Sequence, residues 1–384
     1  MAPSRSFELS DEAVQAILDR GRSLASAVEL PAVDGPPPGI AEMVALFHSA
    51  HPTESLRAAA IARRGAGTHE LETFSPLYLT NTCDSECRMC GMRRDNDRLL
   101  RDTATPAETA AQLRILKRRG VLAVGLLTGE YREETRRWST ALAREALGEA
   151  LALEFRHVLV NVGSLGDDEL AELLQAVPRD GDGRVTPKVT LCTFQETYDR
   201  RAYRKFMGTN PDNPRADFDR RLTNLDRAAD AGMRVVNPGV LLGLSAHLDF
   251  ELAALALHVQ HLLGRGLEVY VSVPRLRQAS GAANERGVSD DEFVRLLAIL
   301  ALGLPAAKVV VTTRESAAVQ RRVLPLIKVL SAGSSAVAPY TADGARFPLE
   351  ASQFEVIDQR PIEEILAEYL RQGVRFENFE PVSA

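Results

Sequence analysis

The segment PLYLTNTCDSECRMC, residues 76–90, joins a short apolar run to three of the chain's four cysteines. The run PLYLTN has the length and composition of a buried β-strand. Cys83, Cys87 and Cys90 follow it at the spacing C-x3-C-x2-C. In α/β barrels the active site lies where the carboxyl ends of the strands meet their loops. The segment therefore predicts a strand of a parallel sheet with a site of cysteine chemistry directly beyond it.

Seven further apolar runs follow this first one, with amphipathic stretches between them. They are LAVGLLTGE, HVLVNVGS, KVTLCTF, RVVNPGVLLG, EVYVSV, KVVVTT and IKVLSAGSS. Capping boxes at Thr105–Glu108 and Ser289–Glu292 mark the starts of two of the intervening helices. Strands that alternate with helices predict a parallel sheet. A count of eight favours a (β/α)8 TIM-type barrel over an open doubly wound sheet, whose glycine-rich nucleotide motifs are absent from the sequence.

Helical extensions are predicted on both sides of this barrel. Residues 1–70 are expected to form an N-terminal helical extension, with Ser10 as a helix N-cap and Gly21 as the end of that helix. Residues 71–345 are expected to form the barrel. Residues 346–384 are expected to form a C-terminal extension packed on it.

The composition excludes several classes of function. The chain has 384 residues, a formal charge of −6 and a sequence pI near 5.8, with no uncompensated basic run, so nucleic acid is not an expected partner. The N-terminal residues contain no signal-like apolar segment, and no run of eighteen apolar residues suggests a membrane span. A cytoplasmic protein is expected. In such a compartment, clustered cysteines more often hold a metal or perform redox chemistry than form disulfides.

Three clustered thiolates suit few kinds of site. A structural zinc site needs four ligands, and a ferredoxin cluster needs a fourth cysteine. Cys192 lies 102 residues beyond Cys90, within an apolar run, where a buried small side chain is the expected interpretation. Three thiolates on a [4Fe–4S] cluster would instead leave one iron open for a ligand. A zinc site and an electron carrier remain as alternatives.

At these residues the chain resembles the radical S-adenosylmethionine superfamily. The resemblance implies a [4Fe–4S] cluster on Cys83, Cys87 and Cys90, with S-adenosylmethionine bound at the open iron. The resemblance extends from about residue 70 to the C-terminus and points to one group within the superfamily. The blocks PLYLTN, LLTGEY, FQETYDRRAYRKFMG, GVLLGL, SVPRLR and TTRES are similar to those of the aromatic amino acid lyases.

Within that group, CDSECRMC and SAGSSAVAPY resemble the tryptophan lyases of thiopeptide biosynthesis. The tyrosine lyases have Gly-Gly-Tyr where this chain has Ala338, Pro339 and Tyr340, whereas Thr82 departs from the aromatic residue of the tryptophan enzymes. The resemblance implies that L-tryptophan is fragmented and rearranged to 3-methyl-2-indolic acid, after a 5′-deoxyadenosyl radical removes a hydrogen from the substrate amine. A tyrosine lyase that yields p-cresol and dehydroglycine is the alternative.

The resemblance also assigns residues to S-adenosylmethionine. Glu130 of TGEY matches the acceptor of the methionyl ammonium group, and Glu196 of FQETY matches the residue that holds the ribose hydroxyls. Arg221 matches the partner of the methionyl carboxylate, and Met89 matches the position near adenine. The plainer interpretations are a solvated carboxylate for Glu130, a surface ion pair for Arg221 and space-filling for Met89.

For the amino acid substrate, Arg314 of TTRES looks like the clamp for the carboxylate, since a planar guanidinium suits a carboxylate. Ser331 and Tyr78 match positions that orient the substrate amine and backbone. The plainer interpretation of Ser331 is a hydroxyl group in a turn, without a role in binding. A reducing electron donor such as flavodoxin or ferredoxin is the expected protein partner. Hydrolysis is disfavoured, because no histidine pairs convincingly with a serine or cysteine.

Overall fold

The computed structural model describes residues 6–65, 70–175, 177–185, 188–279, 287–333 and 353–381. Its centre is a closed barrel of eight parallel strands, in which each strand pairs with the next and β1 pairs with both β8 and β2. The predicted TIM-type barrel is therefore confirmed. The strands are β1 Glu70–Tyr78, β2 Ala123–Leu127, β3 His157–Asn161, β4 Lys188–Cys192, β5 Val235–Asn237, β6 Glu268–Ser272, β7 Lys308–Thr312 and β8 Val329–Ser331.

Helices cover the outside of this barrel. Both predicted capping boxes are present, because Thr105 and Ser289 accept the backbone N–H of Glu108 and Glu292, which reach back in turn. The barrel helices are α4 Pro106–Arg118, α5 Glu133–Ala152, α6 Asp167–Leu173, α7 Arg200–Met207, α8 Phe218–Leu222, α9 Asn224–Asp230, α10 Leu248–Gly264, α11 Asp290–Gly303 and α12 Ala317–Val323. A short 3-10 helix, Leu324–Leu326, leads into β8.

In the described ranges before the barrel there are three helices: α1 Asp11–Leu24, α2 Ile40–His48 and α3 Thr53–Arg64. Ser10 caps α1 as predicted, accepting the N–H of Ala13 at 3.2 Å. The prediction that α1 ends at Gly21 is wrong, since the helix continues to Leu24. Gly21 lies against α2, where a Cβ atom would come within 2.6 Å of the Val44 side chain. The glycine therefore permits close helix packing.

The first strand begins six residues before the predicted run PLYLTN. Its early part carries Glu72, which is buried at the amino-terminal end of the barrel and pairs with Lys308 and Lys188. Burial alone would raise the pKa of Glu72, but hydrogen bonds from His157 and Lys308 hold it well below its usual range. This buried ion cluster occupies the end of the barrel opposite the cysteines, where barrels carry residues for stability.

The C-terminal residues return to the barrel. After α13 Ile362–Arg371, the two-residue strand β9 Arg375–Phe376 pairs with the start of β1, which the sequence did not predict. Upstream, Gly91 N donates to Gln353 O at 2.8 Å, and Asp358 N donates to Thr313 O at 3.0 Å. The segment 353–358 thus bridges the cysteine loop and the end of β7. The exact division of the chain into three parts stays a prediction.

Within the described ranges, every helix is too short or too polar to cross a lipid bilayer.

Candidate active site

One cavity occupies the carboxyl-terminal mouth of the barrel, with an empty volume of about 1550 Å³ that is open to solvent. All of the site residues predicted from the sequence line it, although they come from distant parts of the chain. They are Tyr78, Cys83, Cys87, Met89, Cys90, Glu130, Glu196, Arg221, Arg314 and Ser331. The closure of the barrel brings them together. The cavity therefore places the cysteine loop and the ends of several strands around one shared space.

The cysteine loop after β1 turns its sulfur atoms toward N–H donors. Ser85 N and Glu130 N point at Cys83 Sγ at 3.4 and 3.3 Å. Arg215 Nη1 points at Cys87 Sγ at 3.6 Å. Hydrogen bonds to cysteine sulfur stabilise thiolate charge and tune the potential of an iron–sulfur centre. The loop therefore carries the donor pattern of a cluster site.

Two further observations agree with a cluster. Ser85 Oγ is buried beside Cys83, in the cavity wall, and finds no hydrogen-bond partner within the described residues. Burial raises the pKa of the Cys87 thiol to about 12, so iron must displace its proton on binding. In the described parts of the chain, no three His, Cys, Asp or Glu side chains form a group that could hold a single metal ion, whereas the thiolates of a four-iron cluster each bind a different iron. The donor set of three thiolates with nearby N–H and O–H groups fits a multi-iron cluster.

Gly129 sets the distance between β2 and the cysteine loop. A Cβ atom at this position would lie 2.1 Å from Thr82 O and 2.7 Å from Cys83 Cβ. Contacts that short do not occur, and backbone cannot yield as a flexible side chain would. The glycine of TGEY is therefore required for Cys83 to occupy its place.

We expect Gly129→Ala to displace Cys83 and to reduce cluster content to a small fraction of the parent value. Gly148→Ala is the matched control, because a Cβ atom there, in α5, meets nothing within 4 Å. Iron and sulfide analysis after anaerobic reconstitution measures the difference. Equal cluster content in both variants would show that the cysteine loop does not depend on this close approach.

Glu130 forms the centre of a buried charge network. Its Oε2 accepts from Arg215 Nε and Arg221 Nη1, each at 2.7 Å, and its Oε1 accepts from Ser164 N at 3.1 Å. Burial alone would raise its pKa, but the charges of Arg221 and Arg215 lower the pKa of Glu130 to about 2. The carboxylate is therefore ionised at neutral pH. The plainer interpretation of Glu130 as a solvated loop residue is wrong, since the residue is 4% exposed.

Arg221 and Glu196 belong to the same network. The side chain of Arg221 is 2% exposed and contacts Glu130, so its interpretation as a surface ion pair is also wrong. Glu196 adopts a left-handed backbone with φ of 69°, a conformation that costs a non-glycine residue about 1–2 kcal/mol. Backbone hydrogen bonds with Gly239 and Leu241 hold it there. Such strain is often found at functional sites.

Arg215 was not predicted from the sequence. Its guanidinium reaches Glu130, Glu196 at 3.0 Å and Cys87, and so links the residues expected to bind the cluster and S-adenosylmethionine. The residue lies in the loop between α7 and α8, within NPRAD, which has no helix or strand pattern. No signal in the sequence distinguishes it from its neighbours.

Arg314 lies on the other side of the mouth, just after β7. Arg275 and Arg277 follow the neighbouring strand, β6, and both pair with Glu315. No carboxylate of the described residues forms a salt bridge with Arg314, whose guanidinium carbon lies 3.3 Å from the Phe354 ring centroid. Burial lowers its pKa. A guanidinium in such a cavity, without an acidic partner from these residues, can accept an anionic group.

The remaining substrate-side predictions lie close by. Ser331 ends β8 and is 2% exposed, so it is part of the barrel wall, not a turn on the surface. Tyr78 ends β1 and donates its hydroxyl to Gln353 Oε1 at 2.6 Å. Gln353 and Phe354 were not predicted, because a contact across 275 residues leaves no mark on the local sequence. They place the segment 353–358 over the substrate side of the cavity.

Comparisons with known proteins agree with this geometry. Residues 272–375 match the model of the Biotin and Thiamin Synthesis associated domain. The chain is 29% identical to 2-iminoacetate synthase of Escherichia coli (strain K12) over 323 residues, which are 83% of this chain and 80% of the relative.

Two solved structures share the fold. The FeFe-hydrogenase maturase HydG from Carboxydothermus hydrogenoformans superimposes with a TM-score of 0.76 at 24% identity, over 96% of this chain and 80% of its own. Methylornithine synthase (PylB) gives 0.67 at 18% identity, over 94% and 96%. The comparisons support an enzyme of the radical S-adenosylmethionine, aromatic amino acid lyase type. They confirm the predicted cofactors, a [4Fe–4S] cluster and S-adenosylmethionine.

Proposed function

We propose that this chain is a radical S-adenosylmethionine lyase that converts free L-tryptophan to 3-methyl-2-indolic acid. The observation that carries the substrate class is Arg314, a half-buried guanidinium that shares one cavity with the three-cysteine loop and pairs with no described carboxylate. A planar guanidinium holds a carboxylate through two parallel hydrogen bonds. A free amino acid supplies that group.

Cys83, Cys87 and Cys90 would hold the cluster, with N–H groups of Ser85, Glu130 and Arg215 directed at their sulfur atoms. Together the bound cofactors would supply a 5′-deoxyadenosyl radical that removes a hydrogen atom from the substrate amine. A flavodoxin or ferredoxin is the proposed source of the electron.

The charge network suits the methionyl end of S-adenosylmethionine. Glu130, ionised at neutral pH, would accept the ammonium group, and Arg221 would hold the carboxylate with help from Arg215. Glu196 would bind the ribose hydroxyls and Met89 would pack near adenine. The strained backbone of Glu196 supports such a role, since it fixes the direction of that side chain.

On the substrate side, Arg314 would hold the carboxylate while Ser331 and Tyr78 orient the amine. Holding the amine close to the reactive carbon selects one hydrogen among several in the substrate. Phe354 and Gln353 would close this side of the cavity. Exclusion of water protects a radical until it meets its target.

Tyrosine cleavage is the second candidate, and the relative 2-iminoacetate synthase favours it. The similarity of CDSECRMC to the tryptophan enzymes supports tryptophan, as do Ala338, Pro339 and Tyr340 in place of Gly-Gly-Tyr, although these three lie outside the described residues. An iron–sulfur electron carrier is less well supported, because it would need neither a cavity that joins the cysteine loop to the strand ends nor Arg314.

An anaerobic assay separates these candidates. Reconstituted protein is given dithionite and S-adenosylmethionine, with either tryptophan or tyrosine, and products are identified by mass spectrometry. We expect 5′-deoxyadenosine and 3-methyl-2-indolic acid with tryptophan. p-Cresol from tyrosine, with no indolic acid from tryptophan, would replace the proposal by the tyrosine lyase, and no deoxyadenosine with either would remove both.

A further inference from the structure

A chain of polar side chains lies on the wall formed by β4, β5 and β6. Ser272 Oγ donates to Asn237 Oδ1 at 3.1 Å, and Asn237 Nδ2 donates to Cys192 Sγ at 3.6 Å. All three line the cavity, and each is 5% exposed or less. None has a role in the proposed binding of the cofactors or of the amino acid head group.

The side-chain amide of Asn237 can form more hydrogen bonds than the two described above. An asparagine amide offers two N–H donors and two acceptor positions, and thiol sulfur is a weak acceptor. The two bonds above are the only ones that its side chain makes with the described residues. A buried amide with strong unused groups costs free energy unless a ligand or water satisfies it. This argues for a polar partner within the cavity.

The closed order of the strands places Asn237 and Cys192 on strands opposite those of the head-group site, while Ser272 is on β6, next to β7. In an eight-stranded barrel, β4 lies across from β8 and β5 lies across from β1. Asn237 on β5 therefore lies on the strand across from Tyr78 on β1, and Cys192 on β4 lies on the strand across from Ser331 on β8. An amino acid held by its carboxylate and amine at β7, β8 and β1 would project its side chain toward this wall.

The space between the two walls suits an aromatic ring. Phe74, Pro76, Leu159 and Val310 line it, and Gly125 adds no side chain. Aromatic rings bury large apolar areas, and an N–H or O–H group on a buried ring normally finds a hydrogen-bond partner. The far end of such a ring would reach the wall that carries Asn237, which offers a polar partner there.

Building on the proposed function, we propose that Asn237 determines specificity by accepting a hydrogen bond from the single N–H or O–H of the aromatic substrate ring. Ser272 fixes the amide orientation through Oδ1, which leaves the second acceptor position of that oxygen for the ligand. Both candidate substrates have this chemistry, because the indole ring of tryptophan carries one N–H and the phenol ring of tyrosine carries one O–H. A site built to bind such a group rejects an analogue that lacks it.

The test compares substrates that differ only at that group. Tryptophan is compared with its benzothiophene analogue, in which sulfur replaces N–H, and tyrosine is compared with phenylalanine. The readout is the ratio of kcat/KM within each pair, followed through substrate-dependent 5′-deoxyadenosine. We expect the parent to favour the polar member of one pair, which identifies the ring, and Asn237→Leu to reduce that preference by roughly tenfold or more.

Asn161→Leu is the matched control, because it makes the same change on β3 in the same cavity. Its preference ratio should stay near that of the parent. Cluster content and S-adenosylmethionine binding, measured without substrate, show whether each variant is folded. If Asn237→Leu loses its cluster, Ser272→Ala decides the question: a lowered preference supports the inference and an unchanged one overturns it.

An Asn237→Leu enzyme that keeps the parent's preference would overturn the inference while the proposed function stands. Loss of preference in Asn161→Leu but not in Asn237→Leu would assign recognition of the ring to β3 and would also overturn the inference. A parent that turns over neither tryptophan nor tyrosine would remove the proposed function, and this inference with it.

Discussion

Alanine at Cys83, Cys87 or Cys90 is expected to abolish the iron–sulfur cluster, whereas alanine at Cys192 leaves it in place. The first three side chains lie in one loop with N–H donors directed at two of the sulfur atoms. Cys192 ends β4, on the same cavity wall as Asn237, and burial raises the pKa of the Cys192 thiol to about 12. With only three ligands available, loss of one leaves two irons without protein thiolate.

The measurement is iron and sulfide content with the visible spectrum of each anaerobically reconstituted variant. Cys192→Ala is the control, because it removes a cavity cysteine by the same substitution. A cluster that survives any of the three loop substitutions, or that disappears only with Cys192→Ala, would contradict the assigned ligands.

Lysine in place of Arg314 is expected to change the products of the reaction and not only its rate. It keeps the positive charge but loses the planar pair of donors, so the carboxylate is held less firmly while the radical rearranges. We expect 5′-deoxyadenosine still to form with tryptophan, with less 3-methyl-2-indolic acid and more uncoupled or decarboxylated material. Loss of one charge-assisted contact costs on the order of 2 kcal/mol, or roughly thirtyfold in the partition between pathways.

Arg277→Lys is the matched control, in the segment that follows the neighbouring strand β6. Arg277 also lines the cavity, but it pairs with Glu315 at 2.7 Å, and a lysine can keep that pair. Its product ratio should resemble that of the parent. An Arg314→Lys enzyme with the parent's ratio and turnover would place Arg314 outside the reaction and remove the main support for an amino acid substrate.

The sequence predicted the barrel because each strand after the first is a compact apolar run. It missed the start of β1, since Glu72 is polar in the sequence and becomes buried only through lysines of β4 and β7. Most of the predicted site residues could be found because they lie in motifs at strand ends, whereas Arg221 lies in α8 and was found through the family resemblance alone. Arg215 and Phe354 could not, because a loop and a distant segment reach the cavity only after the barrel has closed.

Hydrogen abstraction from the amine of tryptophan can be followed by running the reaction in deuterated water. The amine hydrogens exchange with solvent, whereas those on carbon do not. We expect 5′-deoxyadenosine that carries one deuterium, formed only when tryptophan is present and together with 3-methyl-2-indolic acid. Unlabelled 5′-deoxyadenosine would show that the hydrogen came from carbon, and none above the substrate-free level would show that tryptophan is not the substrate.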